Sequence, residues 1–149
     1  MSTARVSTAL TTAAAWPRSP HLSVAESPLE VTVTQPRPSL AIVGVVGELD
    51  VATASRLHAV LERRLVGVGG TVVVDLSQVC FLAIAGVNAL IDVQRRAQAE
   101  RWNLRLVTEP RCVRRLLALT GLQTSFDCHS SLHRALLAYR TDRLAESTG

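Results

Sequence analysis

Between positions 71 and 91 the sequence reads TVVVDLSQVCFLAIAGVNALI, and this stretch restricts the possible folds more than any other. Residues 71–75 are a β-branched run closed by Asp75, the pattern of a strand buried on both faces. Residues 76–85 follow neither the helical nor the strand period and read as a crossing loop. From about Ala85, the apolar Val87, Leu90 and Ile91 recur at helical spacing with Asn88, Asp92 and Arg95 between them. The order is strand, loop, helix. In open α/β sheets, function concentrates where such a loop leaves the carboxyl end of a strand.

The rest of the chain extends this pattern. Residues 1–28 are rich in Ser, Thr, Ala and Pro, with no acidic residue before Glu26. They read as a disordered N-terminal tail, because they bury too little to offset ordering entropy. Arg5 and Arg18 among Ser and Thr leave a targeting peptide as the lesser alternative. Residues 29–34 alternate apolar and polar and predict a first strand, 35–38 a turn and 40–46 a second strand. Asp50 is placed to cap a helix over 51–66, with Leu57, Val60, Leu61 and Leu65 inward. The helix begun near Ala85 reaches about Arg101, and 104–107 is another short strand. A helix starting at Glu109 and Pro110 places Val113, Leu116, Leu117 and Leu119 on its apolar side, and Gly121 stops it. Residues 124–127 suit an edge strand and 130–140 a final helix, with 141–149 a flexible tail. The expected fold class is therefore α/β, a small, largely parallel mixed sheet flanked by about four helices, in one domain over 29–140.

A parallel pairing of 40–46 with 71–75 would bring their carboxyl ends to one edge. Gly47, Glu48, Leu49 and Asp50 would then lie beside residues 76–86 in one composite surface.

Several chemistries lack support. Gly67, Gly69 and Gly70 link a helix to a strand, the reverse of a phosphate-cradling loop. The three cysteines, Cys80, Cys112 and Cys128, form no CxxC pair. Cys80, among Val79, Phe81 and Leu82, reads as a buried small hydrophobe. Cys128, His129 and His133 invite a metal reading but lack a fourth ligand, and His58 reads as a surface residue, so no metal and no cofactor is expected. Glu48 and Asp50 read better as cap and solvated charge than as a catalytic pair. No nucleophile motif is present, and a non-enzymatic role is expected.

The formal charge is +4, and all sixteen basic residues are Arg. Seven of them, Arg95, Arg96, Arg101, Arg105, Arg111, Arg114 and Arg115, fall within 21 positions. They read as a solvated helical face, with an acidic protein partner as the functional alternative. Two Trp, one Tyr and two Phe give little base-stacking surface, and no recognition-helix motif accompanies the arginines, so direct nucleic-acid binding is not expected. No apolar run approaches the roughly 18 residues of a membrane span. The wide cysteine spacing reads as reduced and cytoplasmic.

GELD at 47–50, VDLSQVCF at 74–81, Gly86 opening a helix and VRRLLALTGL at 113–122 together resemble STAS domains, in particular bacterial anti-sigma factor antagonists. The resemblance runs from about 29 to 140. It implies binding to an anti-sigma factor with a histidine-kinase-like ATPase fold, which phosphorylates a Ser within Asp-Ser-Ser-Gly or Asp-Ser-Thr-Gly. That motif falls here on Ala83, Ile84, Ala85 and Gly86. Only the glycine is retained, and the phosphoacceptor position, Ala85, has no hydroxyl. The resemblance thus implies a partner-binding surface of Gly47, Glu48, Asp50, Ser77, Ala83, Ile84, Ala85, Gly86, Asn88 and Asp92 that is not phosphorylatable at the usual position. STAS-like modules also resemble accessory subunits of transporters, including lipid-transport ABC systems, and sensory scaffolds, which is the alternative expectation.

Overall fold

A computed structural model describes residues 2–7, 29–65 and 69–148, with side chains described between 29 and 145. The elements are β1 (Ser2–Ser7), β2 (Glu30–Arg37), β3 (Leu40–Leu49), α1 (Val51–Arg64), β4 (Thr71–Leu82), α2 (Ile84–Ala99), β5 (Asn103–Val107), α3 (Arg111–Leu119), β6 (Asp127–His129) and α4 (Leu132–Thr148). The six strands lie in the sheet in sequence order. β1, β2 and β3 pair antiparallel, and β3 to β6 pair parallel.

Parallel strands in sequential order, joined by crossovers of one hand, put the crossover helices on one face of the sheet. The core follows that rule. Leu57, Leu61, Leu90, Val93, Val113 and Leu117, from α1, α2 and α3, pack on Ala41, Val43, Val45, Val72, Val74 and Leu76. Successive strand residues point to opposite faces, so the neighbours Leu40, Val73 and Val107 meet Ala135 and Tyr139 of α4 on the other side.

The strands run further than their hydrophobic pattern suggests. β3 continues through Gly47 and Glu48 to Leu49, and β4 continues through the expected crossing loop to Leu82. The reason lies in the register. Gly44 pairs with Asp75 but Val46 with Gln78, and Gly47 pairs with Val79 but Glu48 with Phe81. Each step inserts one extra residue on β4, which is a bulge. The buried positions become Leu76, Val79 and Leu82, a spacing of three that hides the strand period. For the same reason Cys80, expected in the core, is exposed.

Other expectations also shift. β2 runs through the expected turn to Arg37, with an irregularity between Thr34 and Arg37. Within the expected N-terminal tail, Ser2–Ser7 form a strand against β2, while residues 8–28 lie outside the described residues, as does Val66 at the expected end of α1. Leu119 is 74% exposed, so the inward stripe of α3 is Val113 and Leu117, with Leu116 half-buried against the same core. The last short strand sits two to three residues later than expected, at Asp127–His129. α4 continues through the expected C-terminal tail to Thr148. Gly121 does close α3, with φ of 73° in the left-handed region that favours glycine.

Candidate functional site

The expected composite surface is built by the last residues of β3 and β4 and the helices that follow them. The ladder keeps the two strand ends in contact, with Glu48 paired to Phe81 and Leu49 to Leu82. The Ala83 N–H then donates to Leu49 O at 2.8 Å, tying the start of α2 to the end of β3. Gly47 has φ of 121°, a conformation that side-chain-bearing residues rarely adopt, where the β3 chain passes the second bulge.

Asp50 is held in a complete capping box. The N–H groups of Ala52 and Thr53 donate to its Oδ1 at 2.9 and 3.0 Å. Its own N–H donates to Thr53 Oγ1 at 3.0 Å. The Thr53 hydroxyl lies 2.6 Å from Glu48 O, to which it donates. The Glu48 to Asp50 turn is therefore stiff, and the Asp50 carboxylate is engaged in capping α1. Glu48 is half-buried, and its side chain carries no cap contact.

The mouth of α2 is constructed differently. Its N-cap, Ala83, is extended (φ −96°, ψ 168°) and makes no side-chain cap hydrogen bond. Gly86 is buried where the helix crosses β3. A Cβ there would lie 2.7 Å from Leu82 Cδ1 and 3.1 Å from both Leu49 Cβ and Leu49 O. Glycine at 86 allows this close approach: a methyl group would require Leu82 to move its side chain and Leu49 to yield by a few tenths of an ångström. Ala85 is half-buried beside it, and Asn88 and Asp92, one turn apart, are exposed on the outer side of α2.

Of the ten candidate residues, the structure gathers Gly47, Glu48, Asp50, Ala83, Ile84, Ala85 and Gly86 at this edge, and α2 carries Asn88 and Asp92 away from it. Ser77 sits further back, in the first bulge of β4, where its N–H donates to Asp75 Oδ1 at 3.0 Å. Sequence reasoning missed three apolar side chains on the same segments: Val46 (43% exposed), Val51 (81%) and Phe81 (48%), which join Ile84 (53%). Their position flanking GELD and the α2 start is the signal that could have found them, since exposed apolar clusters mark interaction surfaces.

The remaining candidates go elsewhere. His58 pairs with Glu62 along α1 at 3.7 Å. Among the described residues no three His, Cys, Asp or Glu side chains gather as a metal site. His129 Nε2 instead lies 3.0 Å from Asp127 Oδ1, and His133 is exposed. Burial, with a smaller contribution from Asp127, pushes the Cys128 thiol up, against a hydrogen bond with Thr108 that lowers it. Arg105 leaves the expected solvated arginine face. It is buried, with guanidinium contacts to Asp127 Oδ2 at 2.7 Å and to Asp142 Oδ2. No helix among the described residues is long and apolar enough to cross a membrane.

Comparison with known proteins places this architecture. The family profile described as "Mlab, STAS domain" matches residues 32–138. The anti-sigma-F factor antagonist RsfB of Mycobacterium tuberculosis is 29% identical over 120 residues, covering 79% of this chain and 97% of that protein. An anti-sigma factor antagonist from Mycobacterium paratuberculosis superposes with a TM-score of 0.66 at 27% identity, over 75% of this chain and 94% of that one. An anti-sigma-factor antagonist (STAS) domain protein from Planctomyces limnophilus shares the fold at a TM-score of 0.64 and 15% identity, over 74% and 97% of the two chains. The chain belongs to the STAS domain family, among relatives named as anti-sigma factor antagonists.

Proposed function

We propose that this protein is a non-enzymatic, cytoplasmic regulator that binds an anti-sigma factor of histidine-kinase-like ATPase fold and so keeps it from holding a sigma factor. The names of its relatives support the class. The docking face is the stiff Gly47 to Asp50 turn, the α2 mouth from Ala83 to Gly86, the outer side of α2 with Asn88 and Asp92, and the apolar Val51, Phe81 and Ile84, with Ser77 at its margin.

The observation that carries the reading is the alanine at 85 beside that turn. Phosphoserine at such a position would bring about −1.5 to −2 charges to a helix N-terminus and an apolar surface. Ala85 has no hydroxyl to accept it, and Ala83 supplies no carboxylate beside it. The module stays binding-competent when the kinase is active, and regulation lies with the partner or its supply.

Affinity capture from the native cell tests the class: a kinase-like anti-sigma factor supports it, and an ABC ATPase in its place makes the protein a transporter subunit. Incubation of the captured pair with ATP, followed by mass spectrometry, tests the lock. A stoichiometric phosphate on any residue overturns it. Ala85→Asp should weaken the complex at least about tenfold by placing a desolvated charge at the interface, and unchanged affinity removes position 85 from the docking face.

A further inference from the structure

Among the described residues, α4 is the one helix packed on the second face of the sheet. α4 packs over β4, β5 and β6, which leaves a groove between α4 and the start of β3. Its volume is about 800 Å³, within the range of roughly 300–1,000 Å³ typical of sites for small ligands. The apolar lining is Leu40 and Ile42 on the strand and Leu136 and Leu144 on the helix. Arg37, Arg140 and Arg143 stand over it, and no carboxylate lines it among the described residues.

α4 presents two stripes. Leu132, Ala135 and Tyr139 face the sheet. Leu136, Arg140, Arg143 and Leu144 follow at helical spacing on the adjoining side and face the groove. The second stripe depends on the last turns of the helix, which contribute nothing to the larger core. Tyr139 closes the inner end, its hydroxyl 2.7 Å from Ser39 Oγ. Asp142, one of two acids on these turns with Glu146, is engaged by Arg105, and among the described residues no carboxylate lines the groove beside Arg37 and Arg140.

We propose that this groove is a binding site for a single-chain amphipathic anion, with its apolar tail along Leu40, Ile42, Leu136 and Leu144 and its carboxylate or phosphate head under Arg37 and Arg140. An apolar floor under clustered guanidinium groups matches that chemistry on both counts. A second copy is a poor occupant, because two-fold pairing sets the same arginines against one another. The groove lies at the amino end of β3, opposite the Gly47 to Asp50 turn, so this inference is independent of the docking proposal.

The test is a titration of the full chain with decanoate below its micellar range, followed by amide chemical shifts, with decanol and butyrate as controls. The site predicts saturable one-to-one binding with shifts centred on Leu40, Ile42, Leu136 and Leu144. Decanol, lacking the charge, and butyrate, lacking the tail, should each bind at least about tenfold more weakly. The double variant Arg37→Glu/Arg140→Glu alters two exposed side chains, should keep its melting temperature, and should lose at least about tenfold in decanoate affinity. The proposal is overturned by absence of saturation, by equal affinity for decanol, by shifts centred on Phe81 and Ile84, or by full affinity in the double variant. Co-sedimentation with phosphatidylglycerol vesicles without saturable decanoate binding also overturns it, and assigns the arginines to a membrane surface.

Discussion

The two faces of the sheet are held by different forces. Under α1, α2 and α3 the contact is apolar, and Leu57, Leu61, Leu76 and Leu90 are fully buried. Under α4 the apolar cluster is much smaller, and a charged cluster stands beside it. Arg105, 6% exposed, reaches Asp127 of β6 and Asp142 of α4, whose side chains are about half exposed, and its Nε is buried without a partner. Apolar burial adds stability roughly in proportion to area. A buried guanidinium must instead recover its own desolvation cost from its partners. The first face therefore makes the fold stable, whereas the second fixes where α4 lies.

That contrast can be broken in order of expected effect. Asp127→Ala with Asp142→Ala leaves Arg105 buried and uncompensated, and should cost about 3–5 kcal/mol. Native-state hydrogen exchange should show α4 losing protection before α2. Arg105→Met removes the charge and leaves two carboxylates that water can reach, so its cost should be clearly smaller in the same denaturant titration. Equal costs would mean that packing, not charge, holds α4.

On the first face, Leu61→Ala should cost about 3 kcal/mol and lower protection in α1, α2 and α3 together. A loss confined to α1 would contradict a single shared core. At the carboxyl edge, Asp50→Ala removes the capping box and should cost about 1 kcal/mol. Ala83→Asp supplies the side-chain cap that α2 lacks and should gain about 0.5–1 kcal/mol. No gain in a denaturant titration would mean that the α2 start already has its N–H groups satisfied. The smallest effect is kinetic. Cys80 is exposed, whereas burial raises the Cys128 thiol and lowers its thiolate fraction. A thiol reagent at neutral pH should label Cys80 first, as peptide mapping would show.

Much of the layout was legible in the residues. The β-branched run from Thr71 and the stripes of α1 and α2 announce themselves because those elements meet the core on one regular period. Asp50 as a cap was readable from residue type and position, whereas the close approach of Gly86 to Leu49 was not. The continuation of β4 to Leu82 was not, because two bulges change its period and a bulge is defined only by the partner strand. Arg105 was read with its exposed neighbours for a related reason. Its partners lie 22 and 37 residues away, and no local window contains them.

Taken alone, the sequence determined the order of elements from β2 to α4, the parallel direction of β3 and β4 and the capped turn before α1. These follow from local periodicity, capping chemistry and side-chain identity. Only the tertiary structure decided that β3 and β4 run on together to bring Glu48 against Phe81, that Val51, Phe81 and Ile84 stand exposed at one rim, and that α4 packs over β4, β5 and β6 with Arg105 reaching its Asp142. Those outcomes depend on register and on which strand lies beside which, and pairing across the sheet is a property of the folded chain as a whole.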